Sequence, residues 1–212
     1  SANKDELSVS VKYTLTNLFP SPVHIFDTDG FDEFKNNLID YAYKLREEDS
    51  KGFNISNRHG WQSRGFNLSD TNDLLHATIL RGLSSFPSIK NKTEMKASAW
   101  ININGSGAYN IPHSHPNSHL SGVMWIKAPK DSGNIVFDNP SGHQTYTEIN
   151  SYNQEFKDQF FIHHSYWLPP IEGRMIIFPS HLQHGVNENN SNEDRISVSF
   201  NITLTSSTQG RF

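Results

Sequence analysis

Along this chain, apolar positions recur with two different periods. Leu7, Val9, Val11, Tyr13 and Leu15 alternate with Ser8, Ser10, Lys12 and Thr14, which predicts a strand with one buried face. Phe19-Pro20-Ser21-Pro22 then interrupts regular structure. Phe31, Phe34, Leu38, Tyr41, Ala42 and Leu45 fall at steps of three and four, so residues 30–47 are predicted to form a helix that starts from the stretch 27–30. Residues 51–68 follow neither period. Ser69 or Asp70 is placed to cap a second helix, with Leu74, Leu75, Ile79, Leu80 and Leu83 as its apolar face.

From Lys96 onward the pattern is all strand and turn. MKASAWININ, SHLSGVMWIKAP, GNIVFDNP, GRMIIFPS and RISVSFNITL are short β-type runs separated by Gly, Pro, Asn and Asp. Following a helical N-terminal portion, they predict a β-sandwich or barrel with helices on one face. In the last run, Ile196, Val198, Phe200, Ile202 and Leu204 oppose Arg195, Ser197, Ser199, Asn201 and Thr203. Such a polar face can meet solvent or line an internal site. In ASAWININ, Ala99, Ile101 and Ile103 oppose Trp100, Asn102 and Asn104 in the same way, and two such strands favour the internal reading.

Composition bounds the alternatives. A chain of 212 residues suits one domain, expected here to span 1–212, with a helical support region at about 24–90 and a β core at about 96–205. With 34% hydrophobic and 19% charged residues it can build a core. The net charge of -4 without clustered Lys or Arg speaks against nucleic acid as a partner. Cysteine is absent, which excludes disulfides and thiolate metal sites. No apolar run reaches the length of a membrane span and the first residues carry no signal pattern, so a soluble cytoplasmic protein is expected. Histidine is prominent, with 11 copies, several of them between residues 113 and 184.

In extended backbone, His113 and His115 project to one face and can approach a single metal ion. A third ligand must come from elsewhere, and FPSHLQHGV offers His181 and His184. Three imidazoles suit Fe, Zn, Cu or Ni and leave positions open for other ligands. Arg195 follows His184 by eleven residues and opens a strand whose next inward residue is Ser197. An inward guanidinium needs an anion, and Arg pairs with carboxylates in a two-pronged fashion. A metal beside a carboxylate-binding Arg specifies a 2-oxo acid that chelates at one end and is anchored at the other.

HSHPNSHLSGVMWIKAP, FPSHLQHGV and RISVSFN resemble the iron- and co-substrate-binding segments of the 2-oxoglutarate/Fe(II)-dependent dioxygenase superfamily. GWQS at 60–63 and LFPSPV at 18–23 are similar to a group of small bacterial and phage members, and the resemblance runs from about Leu18 to the end. It implies a mainly β (α+β) fold: a double-stranded β-helix, or jelly roll, with N-terminal helices packed on the major sheet. It implies Fe(II), 2-oxoglutarate and O2, and hydroxylation of an unidentified substrate with release of succinate and CO2. His113 matches the first iron ligand and His184 the distal one. Arg195 and Ser197 match the pair that holds the far carboxylate; Trp125 matches an aromatic near it, and Asn102 is a further lining residue. The departure is His115, where most members have Asp or Glu. Either His115 ligates iron or that position is left vacant. No catalytic residue beyond the metal ligands is demanded.

Two alternatives stand beside this reading: a cupin-like three-His metalloenzyme that does not use 2-oxoglutarate, and a non-catalytic jelly-roll binding module. His119 and the pair His163-His164 are expected to line loops, Trp61 to anchor packing or touch substrate, and Arg174 to be a surface charge. The substrate class is open between small molecules and peptides, and a homodimer is one option for the assembly. The resemblance also leaves room for a phage-encoded protein acting in a host cytoplasm.

Overall fold

The computed structural model describes residues 10–70, 72–86, 89 and 93–206. Its elements in chain order are β1 (His24–Asp27), α1 (Lys35–Glu48), β2 (Asn57–Arg58), β3 (Trp61–Gln62), β4 (Phe66–Asn67) and α2 (Asp73–Ser84), then β5 (Thr93–Asn104), β6 (Tyr109–His113), β7 (Leu120–Lys127) and β8 (Ile135–Asp138). Two short helices, α3 (His143–Tyr146) and α4 (Gln154–Phe160), precede β9 (Ser165–Leu168), β10 (Arg174–Pro179), β11 (His184–Val186) and β12 (Arg195–Ser206). Among the described residues, the stretch 24–90 thus contributes two α-helices, two 3-10 turns and four short strands.

The two alternating runs form the longest ladder. β12 pairs antiparallel with β5 from Arg195↔Asn104 to Ser206↔Thr93, and its other edge pairs with β7. The major sheet runs β1-β10-β7-β12-β5-β3, with β4 also on β5; the minor sheet runs β2-β6-β11-β8-β9. The apolar face of the major sheet, including Ala99, Ile101, Val198 and Phe200, packs with Leu38 and Ala42 of α1 and with Leu75 and Ile79 of α2. A second core fills the space between the sheets, where Val123, Trp125, Ile176 and Phe178 meet Ile135 and Phe137. The mainly β, two-sheet jelly roll with helices on its major sheet is the fold expected from the sequence.

Two local expectations differ. Residues 10–18 carry no regular structure, and Val11 and Tyr13 are 84% and 75% exposed. Alternation alone cannot hold a strand that has no partner for its N–H and C=O groups; Leu7 and Val9 lie outside the described residues. The cap of α2 is Asn72, whose side chain accepts from the Leu74 and Leu75 amides. Ser69 and Asp70 instead belong to a 3-10 turn, so the helix starts later. Of its expected apolar face, Leu75, Ile79 and Leu83 are buried, whereas Leu74 and Leu80 are exposed. Among the described residues no helix is long and apolar enough to cross a membrane.

Candidate metal and carboxylate site

Side chains at paired strand positions share a sheet face, so the inward face of the major sheet reads as rows across β5, β12 and β7. Asn104 stands beside Arg195, then come Asn102–Ser197–Trp125, Trp100–Ser199–Val123 and Ser98–Asn201–Ser121. The polar face of both long strands therefore looks inward, as the paired alternation suggested. It lines a pocket whose opposite wall carries His113, His184 and Ile135 from the minor sheet.

His113 closes β6, and His184 opens β11 directly opposite it in the ladder. His115 lies two residues past the end of β6, where its backbone amide donates to the Ser180 carbonyl (2.9 Å). One ring nitrogen from each histidine lies within 4.8 Å of the others, which makes these three a possible metal-binding group. The Nδ1 of His113 is 2.7 Å from the Ile111 carbonyl and that of His184 is 2.8 Å from the Leu182 carbonyl. A carbonyl only accepts, so both Nδ1 atoms carry the proton and both Nε2 atoms present lone pairs. Burial pushes the pKa of His184 down to about 4, and the nearby His113 and His115 add to the effect against the Leu182 contact. Burial, and then His113, push His115 down to about 4 as well. Both are neutral at pH 7, the form in which imidazole binds metal. The rings of Phe178 and Phe137, 4.7 and 6.0 Å from that of His184, wall the cluster.

Arg195 is 2% exposed. Its Nη1 donates to the carbonyls of Ser132, Gly133 (3.4 Å) and Asn187 (3.3 Å), whereas Nη2 is buried without a partner. Gly133 has φ +96°, and a Cβ there would run into the Asn187 carbonyl and Arg195 Nη1, so only glycine lets this loop close over the guanidinium. Burial pushes the pKa of Arg195 down to about 10, and no carboxylate offsets it. A buried cation with a spare N–H in a pocket shared with neutral imidazoles fits an anionic oxygen ligand. The three-nitrogen donor set fits a divalent transition metal with open positions.

The other residues fall as follows. Trp125 and Asn102 flank Ser197 on the pocket floor, and the Asn102 amide donates to Ser199 Oγ (3.0 Å) while its Oδ1 is buried and unpaired. His181 is exposed and lies outside the cluster, so His184 is the member of that pair brought to it. His119 faces away from the cluster, with its Nδ1 accepting from the Leu204 amide (2.9 Å). His163 is 3.5 Å from Asp158, and the carbonyls of His163 and His164 both accept from Asn139. Trp61 is a packing anchor whose Nε1 donates to the Asp49 carbonyl (2.8 Å). Arg174 makes a two-pronged pair with Asp27. Four contributors had no sequence signal: the carbonyls of Ser132, Gly133 and Asn187 around Arg195, and Ser121, which donates to Asn201 beside His115.

Residues 98–201 match the family model described as "Putative 2OG-Fe(II) oxygenase", a span that holds His113, His115, His184 and Arg195. No curated protein matches the chain significantly. Among solved structures, a prolyl-4-hydroxylase from Pseudomonas putida aligns with TM-score 0.58 at 11% identity, over 86% of this chain and 93% of the other. A prolyl hydroxylase from Trichoplax adhaerens, in complex with a hypoxia inducible factor peptide fragment, aligns with TM-score 0.56 at 11% identity, over 85% and 83%. HygX from Streptomyces hygroscopicus, with nickel and 2-oxoglutarate bound, gives TM-score 0.50 at 11% identity, over 90% and 86%. At such identities the structures speak for the jelly roll alone, and the family is carried by the sequence match over the very strands that build the pocket. Over residues 98–201, the stretch that carries both histidine segments and Arg195, this chain matches the 2-oxoglutarate/Fe(II) oxygenases.

Proposed function

We propose that the chain is a hydroxylase that couples oxidation of 2-oxoglutarate to insertion of one oxygen atom of O2 into a C–H bond, with succinate and CO2 as co-products. His113, His184 and His115 would hold Fe(II), and Arg195 with Ser197 would hold the far carboxylate of the co-substrate. Trp125 and Asn102 would shape the floor on which that molecule lies. Bound in this site, the iron supplies activation of O2 and the oxidising power for attack on the C–H bond. The protein contributes the rest. Carbonyl contacts to Nδ1 fix both strand-borne imidazoles in the ligating tautomer. Phe137 and Phe178 pack against the His184 ring and shield that side of the cluster. Arg195, which lines the pocket, would fix the direction in which a 2-oxo acid can lie, because its Nη2 amino group has no partner of its own.

The observation that carries this reading is the buried, uncompensated guanidinium in the same pocket as three convergent imidazoles. A three-His metalloenzyme without 2-oxoglutarate would have no use for that charge. The whole domain, residues 1–212, would act as one unit on a small molecule or a peptide. The test is anaerobic: Fe(II) is added to the protein, then 2-oxoglutarate, and the visible spectrum is followed. A weak charge-transfer band that grows with co-substrate supports the proposal; bound iron with no such band at any co-substrate concentration removes it.

A further inference from the structure

Two of the three imidazoles are held by backbone carbonyls, which can only accept. His115 is held differently. Its Nδ1 lies 3.5 Å from Asn201 Nδ2, and Asn201 Oδ1 accepts from Ser121 Oγ at 2.8 Å. Ser121 is 2% exposed and pairs with Asn201 across β7 and β12, so this side-chain pair is built into the sheet. In this orientation the amide NH2 points at Nδ1, which must then accept. A neutral imidazole with a bare Nδ1 carries its proton on Nε2, the nitrogen left to face His113 and His184, and Nε2–H cannot bind a metal.

Turning the Asn201 amide over reverses this at almost no change in atomic positions. Oδ1 then accepts from Nδ1–H, the Nε2 lone pair joins the cluster, and Asn201 Nδ2 donates to Ser121 Oγ. A hydroxyl serves as donor in the first arrangement and acceptor in the second, so Ser121 permits both. The 3.5 Å contact is at the outer limit for a hydrogen bond, so the imidazole is held weakly as it stands. We infer that Asn201, steadied by Ser121, is a positioning residue whose amide orientation decides whether His115 joins the metal as its third ligand. It gives a physical basis to the choice the sequence left open, between a ligating histidine and a vacant position.

The inference rests on the metal-site reading above, and its test separates the two. Full-length protein, its Asn201→Leu and Asn201→Asp variants, and His113→Ala are titrated with Co(II), and the Zn(II)-loaded proteins are labelled with 15N to read each ring's protonated nitrogen by NMR. Asp offers only acceptor oxygens; Leu offers none. Asn201→Leu is expected to weaken Co(II) binding roughly 10–100-fold and to place the His115 proton on Nε2. Asn201→Asp is expected to restore near wild-type affinity with the proton on Nδ1. A general folding defect would lower the melting temperature without moving one ring's tautomer. If Asn201→Leu keeps both wild-type affinity and an Nδ1–H His115, the inference is overturned. If His113→Ala also binds Co(II) normally, the metal-site reading fails with it.

Discussion

Replacing Arg195 with Ala removes a positive charge from a pocket where almost none of the side chain meets water. In the free protein Nη1 already serves three carbonyls, which leaves Nη2 and the charge itself for a ligand. A carboxylate there would gain about two charge-assisted hydrogen bonds, each worth roughly 1.5–3 kcal/mol. The guanidinium is desolvated before the ligand arrives, so little of this is offset on binding. A net loss of about 3 kcal/mol, roughly 100-fold in Kd, is expected for Arg195→Ala. Arg195→Lys keeps the charge without the planar fork and is expected to lose roughly tenfold. Calorimetry on Ni(II)-loaded protein should compare 2-oxoglutarate with 2-oxobutyrate, which keeps the chelating end and lacks the far carboxylate. Wild type should favour the dianion strongly, and Arg195→Ala should bind both alike. Equal weakening of both ligands, or of neither, would refute the anchor. Melting curves of the Lys variant check the fold, because Ala also strands the carbonyls of Ser132, Gly133 and Asn187.

Three other outcomes follow from the same geometry. His113→Ala and His184→Ala are expected to abolish Fe(II) binding in an anaerobic chelator competition, whereas His115→Ala should weaken it and leave it measurable. His184 holds a pKa of about 4 in the fold against an ordinary value of 6.5. The unfolded chain therefore takes up a proton between these values that the folded chain refuses, so stability is full above pH 6.5 and declines as pH falls towards 4. At about pH 5 the loss from this residue is about 2 kcal/mol, read as a lower denaturant midpoint of metal-free protein; a His184→Gln variant whose midpoint falls just as steeply would contradict it. Phe200, fully buried between the major sheet and the helices, is expected to cost about 3–5 kcal/mol as Ala, measured by urea unfolding.

Much of this architecture was legible because period-2 alternation marks both faces of a strand at once. The runs at 95–104 and 195–204 showed an apolar outer face and a polar inner one, and their full-length pairing turns those inner residues into one wall. His113 was readable from its two-residue spacing to His115, His184 from the resemblance of FPSHLQHGV, and Arg195 because it opens one of these alternating strands. What the sequence concealed is long-range. The carbonyls of Ser132 and Gly133 around Arg195 belong to a loop more than sixty residues before it, and backbone groups such as these and the nearer Asn187 carbonyl leave no trace in residue type. Asn201 looked like any polar strand residue until its row placed it beside Ser121 and His115. The strand expected over 7–15 shows the opposite failure: a pattern can specify a face, but the described part of that run has no neighbour to pair with.

The account's central claim is that metal and dianion share one pocket, and anomalous diffraction from crystals grown anaerobically with Mn(II) and 2-oxoglutarate tests it most directly. The expected map has a single anomalous peak between the Nε2 atoms of His113 and His184, with the far carboxylate of the co-substrate against Arg195. A peak elsewhere, or a co-substrate whose carboxylate avoids the guanidinium, would contradict it.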